Sequence, residues 1–283
     1  MRIRKVAVIG CGLVGSGVSL VTAQAGYEVV FLDRTQRCLD GGLARIRSSL
    51  QSRVEKGRMD NGQVKDVLSR ITGTTEWEDL AACDIFIECV DEDLAVKKAV
   101  FENIDFYAPV HALVATSTSS LCVSELAAVL SRPDRTIGLH FACPVPAMMF
   151  VELVEAHCSS KESMSAAREF AESVTRTVIL SKDSPGFVVN RLLVPYLMEA
   201  IRALETGVAS KEDIDEGARK GLGYPLGPFE VLDLVGLDIA YLMSQRLFEE
   251  TRHARYAPPR LLKEMVVSGF LGRKTGRGFY KYR

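Results

Sequence analysis

Short apolar runs alternate with amphipathic stretches along the chain up to about residue 180. The apolar runs are typical of strands buried on both faces, and they cover residues 6–9, 28–32, 84–90, 112–116, 136–141, 151–154 and 178–180. Helical patterns lie among them at residues 13–25, 37–56, 62–70, 94–106 and 124–130. Strands that alternate with helices through short connections predict a mostly parallel sheet with helices on both faces.

The pattern changes at residues 184–186, after which strand signal is almost absent. A long helical stretch covers residues 190–206 and ends at Gly207, and Ser210 is placed to cap the next helix. The chain is therefore predicted to contain two domains. An α/β domain with a doubly wound sheet covers residues 1–183, and a smaller all-α domain covers residues 184–283.

The composition is that of a globular protein with a sizeable core. Of the 283 residues, 47% are hydrophobic and 25% are charged, and the formal net charge is −1. Without a basic excess or an apolar run of about 20 residues, we expect neither a nucleic-acid partner nor a membrane span. The N-terminal apolar run is broken by glycines, which argues against a signal peptide.

Cysteine and histidine usage adds two expectations. The seven cysteines include no CxxC pair and lie mostly in apolar segments, which is typical of reduced thiols in a cytoplasmic protein. The four histidines are scattered, without His or Cys neighbours at the spacing of metal ligands. We therefore predict no metal site.

A glycine-rich turn follows the first predicted strand at once and opens a helix, with the sequence GCGLVG. Gly10 is expected to permit the tight turn, Gly12 to let the backbone approach a pyrophosphate, and Gly15 to let the helix pack close to the strand. The N–H groups at the start of the helix, where Leu13 and Val14 lie, would face the phosphates, and the helix dipole favours negative charge there.

An acidic residue, Asp33, lies about twenty residues beyond the turn, at the end of the second predicted strand. A carboxylate in this position can accept hydrogen bonds from ribose hydroxyls and repels a 2′-phosphate, which favours NAD over NADP. Arg34 weakens that preference, because an arginine can bind the phosphate. Together, the turn and the acid predict a Rossmann-type dinucleotide site. A purely structural glycine turn and an FAD site are the alternatives.

Four polar residues lie where a plain apolar core would not place them. Ser119 follows a predicted strand, His140 lies at the end of another, Glu152 sits within an apolar run, and Asn190 begins a helix. Ligands of open parallel sheets bind beyond the carboxyl ends of the strands, which suits Ser119 and His140. Each residue taken singly also has a structural explanation, as a helix cap, a hydrogen-bonded core histidine or a solvated strand face.

Several strings, in the same order along the chain, resemble the L-3-hydroxyacyl-CoA dehydrogenases, and in particular the short bacterial type that acts on 3-hydroxybutyryl-CoA. These strings are TSSL, HFACPVP, LVELV, DSPGFVVNRLL, GYPLGPFEVLDLVGLD and GRKTGRGFYKY. The resemblance spans nearly the whole chain. It implies hydride transfer between C3 of a 3-hydroxyacyl-CoA thioester and NAD, with homodimers formed through the helical domain.

The resemblance also implies roles for individual residues. His140 matches the family's catalytic base, and Glu152 matches the carboxylate that orients this base. Ser119 and Asn190 match side chains that hold the C3 oxygen of the substrate. A further set of residues matches positions that bind the cofactor in the family: Glu92, Lys97, Ser119, Cys143 and Lys274. Two more residues, Ser49 and Lys56, match positions that contact the CoA nucleotide.

The sequence departs from the family pattern near the junction of cofactor and substrate. Cys143 replaces an amide that helps to hold the nicotinamide end, Ala142 replaces a bulky aromatic ring, and Ser117 and Asp93 each replace an asparagine. A thiol is a weak donor and cannot repeat both roles of an amide. One alternative is therefore a dehydrogenase of a glyceryl group on an acyl carrier protein. A non-catalytic NAD-binding protein, similar to the related lens crystallins, is the alternative of another class, and the four intact polar residues argue against it.

Overall fold

The computed structural model describes residues 2–282. The chain divides into two compact units, with the boundary between Ser184 and Pro185. The first unit holds the sheet, and the second unit is built from helices. Within the described residues, no helix has the length and the apolar character needed to cross a membrane.

The first unit is built on one eight-stranded sheet. Its strands are β1 Lys5–Ile9, β2 Glu28–Leu32, β3 Ile71–Thr74, β4 Ile85–Glu88, β5 Leu113–Thr116, β6 Thr136–Phe141, β7 Phe150–Glu155 and β8 Thr177–Lys182. Their order across the sheet is β3-β2-β1-β4-β5-β6-β7-β8. Every neighbouring pair is parallel except β6 and β7, which are antiparallel. The predicted Rossmann-type, mostly parallel sheet is confirmed.

Seven α-helices accompany this sheet within the described residues of the first unit. They are α1 Leu13–Gln24, α2 Gln36–Glu55, α3 Asn61–Ser69, α4 Leu94–Tyr107, α5 Val123–Ala127, α6 Val145–Met148 and α7 Lys161–Val174. Local capping explains several of the starts: the side chain of Thr35 accepts from the backbone of Cys38 at the start of α2, and Asp93 does the same for Val96 at the start of α4. Asp93, which departs from the asparagine of the family, thus remains a competent cap.

The central strands bury both faces, as their continuous apolar runs predict. In β1, Val6 and Val8 belong to one apolar cluster, whereas Ala7 and Ile9 belong to a second cluster. Successive side chains of a strand point to opposite faces, so these two clusters are the cores on the two sides of the sheet. Polar residues appear at the carboxyl ends of the next strands: β4 ends at Glu88, β5 ends at Thr116, and His140 lies one residue before the end of β6.

Strand β3 and helix α7 of the first unit are absent from the elements predicted above. Strand β3 is an edge strand in which Thr72 and Gly73 are exposed, so it has no apolar run. Helix α7 buries a face made largely of small residues, among them Ala166, Ala167 and Ala171. These residues recur at helical spacing together with Phe170 and Val174, so the sequence does carry the signal for α7, although the predicted helices do not include it.

The second unit contains helices α8 Val189–Glu205, α9 Lys211–Glu216, α10 Pro228–Val235, α11 Leu237–Thr251 and α12 Arg260–Val267. Its described residues form no strand beyond two isolated bridges, so the predicted all-α class is confirmed. A separate apolar cluster, which includes Leu197, Phe229 and Tyr256, forms its core. The buried carboxylate of Asp233 accepts hydrogen bonds from the backbone N–H groups of Phe279 and Tyr280, which anchors the C-terminal segment.

Candidate active site

The three glycines of the turn lie in different steric surroundings. Gly10 has a φ of 101°, and a Cβ there would lie 2.6 Å from the carbonyl oxygen of Cys89. A Cβ on Gly15 would overlap the carbonyl oxygen of Gly10. A Cβ on Gly12 would meet no protein atom within 4 Å. The first and third glycines are therefore required by the fold, whereas the second leaves open space against the start of α1, where a pyrophosphate fits.

Asp33 joins the end of β2 to this turn. One carboxylate oxygen accepts from the backbone N–H of Cys11 at 2.7 Å, and the other accepts from the backbone N–H of Arg34 at 2.7 Å. Each carboxylate oxygen has a second lone pair, so the side chain can still accept hydrogen bonds from ribose hydroxyls. Arg34 itself is exposed.

A cavity of about 480 Å³ lies beside the turn and the acid, a size typical of small-molecule sites. Its lining includes Gly10, Gly12, Asp33, Arg45 and Trp77. The guanidinium of Arg45 donates to the carbonyl oxygen of Cys11 and, at 3.3 Å, to the hydroxyl of Ser16, so it braces the turn from α2. Sequence reasoning identified neither Arg45 nor Trp77; the only available signal was that Trp77 is the single tryptophan of the chain.

Ser119 lies in the loop after β5, where Glu92 organises three consecutive residues. One oxygen of Glu92 accepts from the hydroxyl of Thr118 at 2.6 Å, from the backbone N–H and hydroxyl of Ser119 at 3.0 and 3.3 Å, and from the same groups of Ser120 at 3.0 and 2.9 Å. Burial raises the pKa of Glu92, but the charge of Lys97 and these hydrogen bonds hold it below the usual value. Glu92 is therefore an ionised acceptor for the loop.

His140 and Glu152 are brought together by strand register. They are directly paired residues of the antiparallel strands β6 and β7, so their side chains point to the same face. Nδ1 of His140 lies 2.6 Å from a carboxylate oxygen of Glu152, and the Glu152 side chain is fully buried. An N–H on Nδ1 donates to the carboxylate, so in the neutral ring the basic lone pair is on Nε2. The pair is an oriented imidazole supported by a carboxylate.

One face of α2 carries the two residues matched to CoA contacts. Ser49, Arg53 and Lys56 lie at helical spacing, with Lys56 as the cap at the C-terminal end. Arg53 donates to the backbone oxygen of Pro146 in α6 at 3.3 Å, six residues after His140 in the sequence. The face of α2 that contains Ser49 and Lys56 therefore lies against the segment that follows β6.

Cys143 begins that segment and is exposed. Although the residue as a whole is exposed, its thiol is partly shielded from solvent, which raises the pKa of the thiol above its ordinary value and keeps it protonated at neutral pH, when a thiol is only a weak donor. Two matched residues belong to the second unit. Asn190 is buried at the start of α8, and Lys274 forms an ion pair with Asp238 at 2.6 Å.

Comparison with known proteins identifies the relatives of this chain. The family model of the 3-hydroxyacyl-CoA dehydrogenase NAD-binding domain matches residues 5–184, and the model of the family's C-terminal domain matches residues 186–282. The chain belongs to the 3-hydroxyacyl-CoA dehydrogenase family. It is 41% identical over 282 residues to the 3-hydroxybutyryl-CoA dehydrogenase of Mycobacterium tuberculosis strain H37Rv, with 99% of each sequence covered.

Solved structures agree with this membership. The crystal structure of FadB2 from M. tuberculosis is similar with a TM-score of 0.98 and 40% identity, and all of both chains is covered. The (S)-3-hydroxybutyryl-CoA dehydrogenase PaaH1 of Ralstonia eutropha is similar with a TM-score of 0.96 and 39% identity, also over all of both chains. These likenesses confirm the fold class and the family resemblance predicted from the sequence.

Proposed function

We propose that this member of the 3-hydroxyacyl-CoA dehydrogenase family interconverts (S)-3-hydroxyacyl-CoA and 3-oxoacyl-CoA with NAD, acting on short chains such as acetoacetyl-CoA. The observation that carries the proposal is the 2.6 Å contact between His140 and the buried carboxylate of Glu152. The printed names of the relatives support the substrate class, since the M. tuberculosis and R. eutropha proteins are both 3-hydroxybutyryl-CoA dehydrogenases.

The residues present fit a nicotinamide dinucleotide at the first unit. The open space at Gly12 can receive a pyrophosphate, the carboxylate of Asp33 can accept from ribose hydroxyls, and the N–H groups at the start of α1 favour negative charge. When bound, NAD would supply the acceptor or donor of the C3 hydride. We propose that Asp33 favours NAD over NADP, because a carboxylate repels a 2′-phosphate.

His140 accepts and donates the proton of the C3 hydroxyl. In oxidation, Nε2 of the neutral ring takes the proton of the C3 hydroxyl, and the adjacent Glu152 carboxylate stabilises the imidazolium that forms. In reduction, the imidazolium donates this proton back to the C3 oxygen. Because Nδ1 hydrogen-bonds to the carboxylate of Glu152, the neutral ring keeps one orientation and the tautomer that carries its proton on Nδ1.

The C3 oxygen needs groups that hold it in line with the hydride path. We propose that Ser119 and Asn190 do so through their hydroxyl and amide groups. The role of Ser119 is supported by its position in the loop whose backbone N–H groups and hydroxyls donate to Glu92. The role of Asn190 is supported by its match to the family pattern and by the burial of this residue at the start of α8.

We propose that the CoA nucleotide contacts the face of α2 that carries Ser49 and Lys56. The support is the Arg53 contact to Pro146, which places this face against the segment after His140. Lys56 is exposed at the end of the helix, where an ammonium can meet phosphate.

We further propose a division of roles between residues 1–183, which bind NAD, and residues 184–283, which contribute Asn190 and Lys274 and form a homodimer. The second unit exposes large apolar side chains that a partner copy would cover, among them Leu192, Leu234 and Ile239. A cytoplasmic location is supported by the cysteines, since all seven lie in the described residues as free thiols.

The deciding experiment follows NADH absorbance with acetoacetyl-CoA as substrate, beside acetoacetyl-pantetheine, which has the same thioester without the nucleotide. We expect rapid NADH loss with the CoA thioester, and a Lys56→Met variant with a raised KM for that substrate alone. Binding of NADH is followed separately by energy transfer from Trp77. Bound NADH without turnover of either thioester would contradict the proposal.

A further inference from the structure

An arginine of α2 lies against the glycine turn. Nη2 of Arg45 donates to the backbone oxygen of Cys11, the residue between Gly10 and Gly12, and Nε of Arg45 donates to the hydroxyl of Ser16 at 3.3 Å. The hydroxyl of Ser16 donates in turn to the same backbone oxygen at 3.3 Å. One edge of the guanidinium is therefore held by an acceptor of the turn and an acceptor of α1.

Gly42 explains how a side chain of α2 can reach the turn. A Cβ on Gly42 would lie 2.8 Å from Cβ of Cys11 and 3.0 Å from its backbone oxygen, so α2 can pack directly on the turn only without a side chain here. Arg45 lies three residues further along α2 and therefore on the same face of the helix. The packing of α2 thus directs Arg45 to the turn.

The guanidinium has donors beyond those that the turn engages. The contacts to Cys11 and Ser16 use Nε and one N–H of Nη2, which lie on one edge of the planar group. Nη1 and the second N–H of Nη2 form another edge, whose geometry matches two oxygens of a phosphate. Arg45 is exposed and lines the nucleotide cavity together with Gly12, so this second edge is accessible to a ligand there.

The start of α1 supplies only part of the positive charge that a diphosphate requires. Gly12 caps α1 without a side-chain hydrogen bond, and the first turn of α1 contains no acidic residue. The N–H groups there can therefore donate to phosphate oxygens, but the dipole of a helix is equivalent to only about half an elementary charge. Most of the charge of a dianionic diphosphate would remain uncompensated, and a guanidinium beside the turn would offset much of it.

Two ligands of the proposed reaction carry a diphosphate, namely NAD and CoA. Ser49, which we propose for the CoA nucleotide, lies four residues beyond Arg45 and on the same face of α2. The contact of Arg45 with the backbone of Cys11, inside the glycine turn, favours the diphosphate of the dinucleotide. The diphosphate of CoA is the alternative that an experiment must separate.

We propose that Arg45 binds the diphosphate of NAD directly, as a side-chain partner of the N–H groups at the start of α1. This inference rests on the proposed function, in which the glycine turn binds NAD. It assigns a part of the cofactor affinity to a residue of α2, outside the glycine motif.

The test measures NADH binding in three variants. Arg45→Met removes the guanidinium but keeps a long side chain. Arg47→Met is the matched control, because Arg47 is an exposed arginine of the same helix, two residues away and on another face. We expect the dissociation constant of NADH, followed by energy transfer from Trp77, to rise about 5- to 20-fold in Arg45→Met and less than about twofold in Arg47→Met, since solvent screens an exposed contact. Arg45→Lys, which keeps the charge without the planar fork, should give an intermediate value.

Competing ligands locate the contact within the cofactor. ADP-ribose contains the diphosphate, whereas adenosine lacks it. In Arg45→Met, the inhibition constant of ADP-ribose against NADH should rise by the same factor as the dissociation constant of NADH, and that of adenosine should stay unchanged. Added salt should weaken NADH binding less steeply in this variant than in the wild type, because a cation that contacts phosphate has been removed.

Several results would overturn the inference. Equal rises for ADP-ribose and adenosine would show that Arg45 only braces the turn. An unchanged NADH dissociation constant, beside a KM that rises for acetoacetyl-CoA but not for acetoacetyl-pantetheine, would assign Arg45 to the CoA diphosphate. Equally tight NADH binding by the wild type and Arg45→Met would defeat the inference alone, whereas a wild-type protein that binds no NADH would defeat the proposed function.

Discussion

The candidate catalytic residues His140 and Ser119 lie in two regions of the first unit, and the two regions hold these side chains in different ways. His140 stands on a regular strand, and the pairing of β6 with β7 places Glu152 directly opposite at 2.6 Å. Ser119 stands on a loop with no ladder to align it, and Glu92 gathers five donors from three consecutive residues.

The difference shows where each arrangement is vulnerable. A strand-borne pair depends on one hydrogen bond, while its geometry is maintained by backbone pairing along two strands. A loop gathered around one carboxylate depends on the charge of that carboxylate and on several weaker contacts. We therefore expect single substitutions to cause sharp chemical losses at the first region and graded losses at the second.

The largest effect is expected for His140→Gln. Glutamine can hydrogen-bond to Glu152 but cannot exchange the proton, so kcat should fall between about 10² and 10⁴-fold. NADH binding, followed by energy transfer from Trp77, should remain nearly intact, because His140 is absent from the described lining of the nucleotide cavity. Near-normal turnover would remove His140 from the proposed mechanism.

Glu152→Gln should cause the next largest loss. The amide oxygen can still accept from Nδ1, so the ring keeps its orientation, but the charge that stabilises the imidazolium is gone. We expect kcat to fall about 100-fold with little change in KM. Steady-state kinetics with acetoacetyl-CoA measure both constants. A change confined to KM would indicate that Glu152 acts in binding rather than on the base.

Ser119→Ala tests the loop directly. It removes the hydroxyl but keeps the backbone N–H that donates to Glu92, so the loop should retain its form. We expect roughly a tenfold loss of kcat, the effect of one lost hydrogen bond of about 1.4 kcal/mol. A loss as large as that of His140→Gln would break the contrast between the two regions.

Thr118→Val should have the smallest effect on turnover, and it tests whether loss of one loop contact causes only a partial loss of activity. It removes the 2.6 Å hydrogen bond to Glu92 and an acceptor for the backbone N–H of Leu121, which should lower the free energy of unfolding by about 1–3 kcal/mol. Turnover should fall severalfold. The matched control is Thr136→Val, because the buried hydroxyl of Thr136 has no hydrogen-bond partner among the described residues. Denaturant unfolding of both variants measures the difference, and equal losses would contradict the account.

Much of the first unit could be predicted from local sequence. Apolar runs identified seven of the eight strands, and the glycine turn with Asp33 predicted a dinucleotide site at the end of β1. These features are local, because the period of apolar residues and the steric freedom of glycine act over a few neighbouring residues. Strand β3 could not be predicted in this way, because an exposed edge strand needs no apolar run.

The contacts that give the candidate site its chemistry lie between residues far apart in the chain. The sequence marked His140, Glu152, Ser119 and Glu92 as candidates, in part only through a family resemblance. It could not indicate that Glu92 binds the loop 27 residues further on, or that Lys97 turns inward to Glu88. Arg45 and Arg53, on the same helix, carried no motif at all.

The sequence by itself determined the succession of strands and helices, the place of the glycine turn and the residue types available for acid–base chemistry. Only the tertiary structure decided which of those residues meet. The antiparallel register of β6 and β7 sets His140 against Glu152, and a shift by one residue would point one of these two side chains to the opposite face of the sheet. Register and burial depend on pairing and packing across the whole sheet, and no stretch of neighbouring residues carries that information.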